Sequence, residues 1–361
     1  MQKGHAGMGN RVFTFISAVA YSKMTGRKLF VDWRDGMYAP KGVDAFSLFF
    51  DSPAVSPLSE LRNSESVAPA VWKGRLGEPI DSLLLDDFRV RRKWMSSEPR
   101  RQKYSIDIGD AGCAEDIAVF FDYSLRFDGL EKNRRLFLKE WPADAPKAFA
   151  KHILKESLFL KPDLAEEISL IRKLHFSSPM IGVHVRHTDN LPFDYLRSAP
   201  FLRKYEREIA RLSLKNPAAR IFLCTDSRKV ELHFKKLYPG IFVLEKDYPE
   251  DSGQPIHLWR DCPDSERMAR AALLDLYLLS GCDFLICSAG SSFSRLAECL
   301  PGSRVGYVVG VRSFRLIPFL LDINRGIRDF LSEADRRFGL AGQWLRDHFP
   351  RIYFFLRPKS K

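Results

Sequence analysis

The residues best placed to do chemistry follow a short apolar run. Residues 180–185 read Met-Ile-Gly-Val-His-Val, and Arg186, His187, Thr188 and Asp189 come next. Alternation along a strand puts His184 and Arg186 on one face. An arginine there can grip a diphosphate through two parallel hydrogen bonds. The competing reading is a structural Arg–Asp pair. A second candidate is the small-residue loop Ser288-Ala289-Gly290-Ser291-Ser292, which opens a helix and so makes a ready anion site. A third is the glycine loop Gly4-His5-Ala6-Gly7-Met8-Gly9-Asn10-Arg11, where backbone amides could approach a ligand. A plain tight turn explains that loop equally simply. Asp275, a lone acid within an apolar helix, is either solvent-facing or an acceptor for the ring and amino N–H groups of guanine. Asp226, after the apolar run 220–225, either caps a helix or lines the site.

The elements that must hold these groups alternate. The spacing predicts a helix over 12–25 stopped by Gly26, then a strand over 27–33. Residues 266–280 carry Ala269, Ala272, Leu273, Leu276 and Leu279 at helical spacing, and Gly281 ends that helix. A strand over 284–287 and a helix from 293 follow. Only Met1, Gln2 and Lys3 precede the glycine loop, so the strand feeding it is expected to be short or missing. Residues 52–79 are rich in Ser, Pro and Gly and read as loops. Alternating strands and helices mean an α/β fold with parallel sheets. Ligands in such sheets bind beyond the carboxyl ends of the strands.

Composition narrows the class. The chain has 361 residues, 45% hydrophobic and 28% charged, which excludes a disordered, collagen-like or disulfide-scaffold protein. At this length two domains are expected. The net charge is +12, and it is local. Residues 88–103 hold seven basic residues and one acid, and residues 336–361 hold the same numbers. The first run reads as solvated surface. The second interleaves aromatics such as Trp344, Phe349 and Tyr353 with arginines. It reads either as an interfacial membrane anchor or as a docked C-terminal helix. No apolar stretch is long enough to span a bilayer, and the start lacks a signal peptide's apolar run. Six cysteines without a CxxC pair argue against zinc and for free thiols in a reducing cytosol. No metal site is expected, and the expected localisation is cytoplasmic, with peripheral contact at the inner membrane face through the tail as the alternative.

His184-Val-Arg186-His-Thr-Asp189 resembles the HxRxxD motif of the NodZ-like α1,6-fucosyltransferase family. The run LLDLYLLSGCDFLICSAGSSFSRLAE, residues 273–298, is similar to that family's third motif in wording and spacing. The glycine loop and the stretch Asp32-Trp33-Arg34-Asp35 are also similar. The resemblance reaches to about residue 312 and leaves the basic tail outside. It implies two Rossmann-like domains facing each other in the GT-B arrangement. The implied bounds are 1–170 on the acceptor side and 171–330 for the nucleotide sugar, with 331–361 as a tail. It implies an inverting, metal-independent transfer of fucose from GDP-fucose, a donor substrate rather than a cofactor, to a sugar hydroxyl. By position, Arg186 holds the β-phosphate, His184 the nucleotide and Asp275 the guanine. Ser291 and Ser292 bind phosphate, Arg295 supports their loop, and Gly7, Gly9 and Asn10 approach the donor. An inverting transfer needs a carboxylate base. Asp194 stands where the animal enzyme has a Glu, and Asp189 is the alternative.

Two rivals have distinct signatures. A GT-B enzyme using another nucleotide sugar would not need Asp275. A silent carbohydrate-binding protein at a membrane would release no GDP. Nucleic-acid binding is disfavoured because the basic charge forms two local runs and not a stripe.

Overall fold

The computed structural model describes residues 1–86, 103–122, 125–127, 130, 146–176, 179–187, 199–249, 256, 259 and 262–311. Residues 1–311 form one compact unit.

The N-terminal part is built from short pairings. β1 (Gln2–Lys3) pairs in parallel with β2 (Val31–Asp32), and the helix Met8–Thr25 connects them. The helix starts inside the glycine loop, earlier than residue 12, with Gly7 at its N-cap. It ends at Gly26, whose φ of 69° is the left-handed C-cap expected there. The strand expected over 27–33 shrinks to two residues, because β1 offers only two to pair with. β3 (Phe50–Asp51) pairs antiparallel with β6 (Phe159–Leu160), and β4 (Val67–Ala68) in parallel with β5 (Ile117–Ala118). Residues 52–79 are loops broken by the 3-10 turns Leu58–Glu60 and Ala70–Trp72 and by β4.

The main sheet comes later in the chain. It contains β7 (Met180–Val185), β8 (Arg220–Thr225), β9 (Phe242–Val243), β10 (Phe284–Ser288) and β11 (Tyr307–Val311). The order is β11-β10-β7-β8-β9, and every pairing is parallel. This is a doubly wound sheet, and the order reverses between β7 and β10. All six residues of β7 are buried, as expected for a central parallel strand covered on both faces. Gly182 makes room for the covering helix and the turn after it: a Cβ there would lie 3.2 Å from Leu279 Cδ2 and 2.9 Å from Cys282 Sγ.

One continuous apolar core joins the two parts. The helix Met8–Thr25 packs against the helices Pro146–Ser157 and Ser292–Cys299, and the core runs from Phe15 and Trp33 to Leu285 and Leu296. All six cysteines are free, and Cys224, Cys282, Cys287 and Cys299 are buried. No helix among the described residues is long and apolar enough to cross a membrane.

Candidate functional site

At the switch point, side chains knit three strand ends together. The Ser288 hydroxyl at the end of β10 accepts from the Arg186 backbone N–H at 3.0 Å and lies 2.6 Å from the Tyr205 hydroxyl. Asp226 accepts from the His187 backbone N–H at 2.8 Å, and Thr225 Oγ1 donates to the Val185 carbonyl at 2.9 Å. Asp226 therefore ties β8 to β7 and also lines the cleft. The N-cap of the following helix is Ser227.

An open cleft of about 970 Å³, solvent-filled space included, lies beyond these ends. Two helices point their N-termini at it. Gly7, Met8, Gly9 and Asn10 line it from one, Ser292 and Phe293 from the other. Neither start carries a side-chain cap, so the first-turn N–H groups have no side-chain acceptor. The helix starts touch at Gly9, where a Cβ would lie 2.6 Å from the carbonyl carbon of Ser292. Only glycine permits that backbone approach, which brings the positive ends of both helix dipoles to one place. Ser291, the N-cap of the second helix, is 4% exposed, and its hydroxyl has no hydrogen-bond partner.

Charge in the cleft comes from Arg186, Asp226, Lys246 and Asp275. Lys246 and Asp275 form a buried ion pair through Oδ2, while Asp275 Oδ1 has no hydrogen-bond partner. Burial holds the Asp275 carboxyl above its ordinary range, and Lys246 draws it only part of the way back. Burial opposes the charge on Lys246, but Asp275 outweighs it and holds the ammonium above its ordinary range. His184 is buried with Nδ1 2.5 Å from the Ser294 hydroxyl and its ring 5.1 Å from that of Phe293. Burial, Arg186 and Lys246 lower its pKa to about 3, so the ring is neutral. A neutral ring accepting from Ser294 at Nδ1 offers Nε2–H as a donor. Burial pushes the Tyr38 phenol up to about 12, so it stays protonated on the opposite wall. Trp259, Met268, Ala271 and Ala272 give the cleft an apolar side.

The structure thus brings together eight of the residues singled out from the sequence: Gly7, Gly9, Asn10, His184, Arg186, Asp226, Asp275 and Ser292. Ser291 sits at the helix start beside them. Arg295 is outside the lining and exposed, its guanidinium 5.4 Å over the Phe13 ring. Asp189 and Asp194 lie outside the described residues, as do the tail 331–361 and residues 88–102 of the first basic run. Asp275 is 3% exposed, which removes its solvent-facing reading. Sequence reasoning missed Lys246, Tyr38 and Trp259. Lys246 does follow a short apolar strand, as Arg186 does, but so do many solvated lysines. Among the described residues no three His, Cys, Asp or Glu side chains cluster as metal ligands.

Comparison with known proteins places this geometry. The family described as nodulation protein Z (NodZ) matches residues 143–316, which hold the whole main sheet, Lys246 and Asp275. Nodulation protein Z of Azorhizobium caulinodans is 27% identical, with 94% of this chain and 95% of that protein aligned. The chain is NodZ-like. Among solved structures, a NodZ α-1,6-fucosyltransferase soaked with GDP-fucose superposes with a TM-score of 0.55 at 21% identity, covering 83% of this chain and 91% of that one. A variant of Arabidopsis thaliana FUT1 in complex with GDP gives 0.51 at 15% identity, covering 87% and 70%. These two likenesses establish a shared fold of mixed α/β type.

Proposed function

We propose that this protein is an inverting glycosyltransferase that moves fucose from GDP-fucose to a sugar hydroxyl, in an α1,6-type linkage, on an oligosaccharide or glycolipid. One observation carries the reading. A single cleft presents an unpartnered carboxylate oxygen on Asp275 and, elsewhere on its wall, two uncapped helix starts beside Arg186. The first matches the N–H edge of guanine. The second matches a diphosphate.

In this reading Arg186 and the amides around Ser292 stabilise the negative charge that grows on the departing GDP. His184, held neutral, donates from Nε2 to the nucleotide. Ser291 and Ser292 bind phosphate, Gly7, Gly9 and Asn10 close over the donor, and Arg295 steadies the loop from outside. Asp189 or Asp194 takes the proton from the acceptor hydroxyl as its oxygen attacks the anomeric carbon. Arg186, Lys246 and the helix termini supply positive charge, so the transfer proceeds without a divalent metal. We assign the main sheet to a nucleotide-sugar domain over 171–330, facing an acceptor-side domain over 1–170 in a GT-B arrangement. Six free thiols fit a reducing cytoplasm.

Calorimetry with GDP-fucose, GDP-mannose, GDP and UDP tests the assignment, with Arg186→Ala as control. GDP-fucose and GDP should bind far more tightly than UDP, and the arginine variant should lose most of that affinity. Equal affinity for GDP and UDP would overturn the donor. Activity abolished by chelator and restored by manganese would overturn the metal-independent step.

A further inference from the structure

Lys246 has no role in the donor reading beyond adding positive charge, yet its position is specific. It reaches the cleft from the segment after β9, is buried, and spends its ammonium on Oδ2 of Asp275. That leaves Oδ1 without a hydrogen-bond partner. An ionised carboxylate offers acceptors only, whereas a protonated one offers one donor and one acceptor. Guanine presents two adjacent donors, N1–H and N2–H. Adenine presents a donor and an acceptor, N6–H and N1. The protonation state of Asp275 therefore decides which purine its side chain matches.

We propose that Lys246 is a positioning residue for base recognition: its ammonium keeps the buried Asp275 side chain a two-acceptor carboxylate and so selects guanine over adenine. The inference rests on the guanine-nucleotide reading above. Burial alone pushes this carboxyl up, and Lys246 is the cation that counters it. The other groups around the pair do not replace it. Cys224 on β8, held protonated by burial and by Asp275, interacts with the carboxylate through its thiol and so assists ionisation, but it brings no positive charge. Tyr248 is likewise held protonated by burial. Glu231 on the helix Arg228–Leu237 adds a negative charge that opposes ionisation. His184 on β7 is neutral, and Arg186 beyond it is charged at every relevant pH but makes no ion pair with Asp275.

The test is calorimetry of GDP and ADP from pH 6 to 8.5 with the wild type, Lys246→Met and Lys246→Arg. The ratio of the two affinities is read, which cancels titration of the diphosphate. The wild-type ratio should stay flat. In Lys246→Met it should fall about tenfold from pH 8.5 to 6, as protonated Asp275 stops matching guanine and begins to match adenine. Lys246→Arg should restore the flat profile. A ratio in Lys246→Met that is as flat as the wild type's overturns the inference and leaves the donor reading intact. A wild type that binds GDP, ADP and UDP alike overturns both. Should Lys246→Met fail to fold, Lys246→Gln is read by the same criterion. A wild-type ratio that itself falls tenfold toward pH 6 overturns the inference without any variant.

Discussion

Two buried lysine–aspartate pairs in this protein differ in one respect. Lys3 and Asp32, at the β1–β2 pairing, lie 2.6 Å apart, and both are almost wholly buried. Lys3 also donates to the Glu78 carbonyl at 2.9 Å and to that of Leu76, and it sits 5.1 Å over the Trp72 ring. Asp32 accepts from the Arg34 guanidinium at 2.7 and 3.0 Å as well. Every atom of that pair is used. Lys246 and Asp275 are equally buried, but one carboxylate oxygen is left over, and it belongs to a cleft. A complete pair holds the fold. The incomplete one, on the proposed reading, keeps an acceptor for the nucleotide base.

The largest way to break this contrast is Asp32→Ala. It strands a buried lysine and should cost about 3–5 kcal/mol in urea unfolding, with the donor site affected only through loss of fold. At the other pair, Asp275→Asn should cut GDP affinity roughly ten- to a hundredfold while UDP changes little, because a charged acceptor is worth about 1.5–3 kcal/mol to its donors. Replacing both partners, Lys246→Met with Asp275→Leu, should leave stability near the wild type's and abolish the preference for GDP over UDP. The same double exchange at Lys3 and Asp32 should destabilise, since Arg34 and two carbonyls lose partners.

A third expectation concerns pH. His184 is held neutral in the fold, its pKa lowered to about 3, whereas an unfolded histidine titrates near 6.5. Above about pH 6.5 neither state is protonated and the group is neutral to stability. As pH falls below that value the unfolded chain gains a proton that the fold refuses. Stability should drop by about 2 kcal/mol at pH 5, and His184→Gln should remove that share of the slope in denaturant titrations. The smallest effect is expected at Arg295. Arg295→Ala removes an exposed contact with Phe13 worth about 0.5–1 kcal/mol. GDP affinity should change less than threefold; a larger loss would mean that the guanidinium reaches the ligand.

The site was legible where chemistry follows a strong local pattern. The apolar run into His184 and Arg186, and the Ser-Gly loop between β10 and its helix, announce strand ends in a parallel sheet, and both proved to be at the switch point. Patterns that depend on a distant partner were not legible. The strand expected over 27–33 was limited by the two residues of β1, which the sequence of that strand does not contain. The helix start at Met8 was hidden because Gly7 and Gly9 are poor helix formers, and Gly9 serves the contact with Ser292 and not the helix. Asp275 could be read as solvent-facing, since its spacing on the helix does not reveal that Lys246 covers it.

The contact between Gly9 and Ser292 has a consequence during synthesis. One wall of the cleft, at Gly9, is synthesised long before the other, at Ser292. A nascent chain that has already made β7 and β8 still has nowhere to hold a ligand. On the proposed reading, a nucleotide can therefore recognise only a chain in which the Gly9 and Ser292 segments have met, and by mass action it stabilises that state alone.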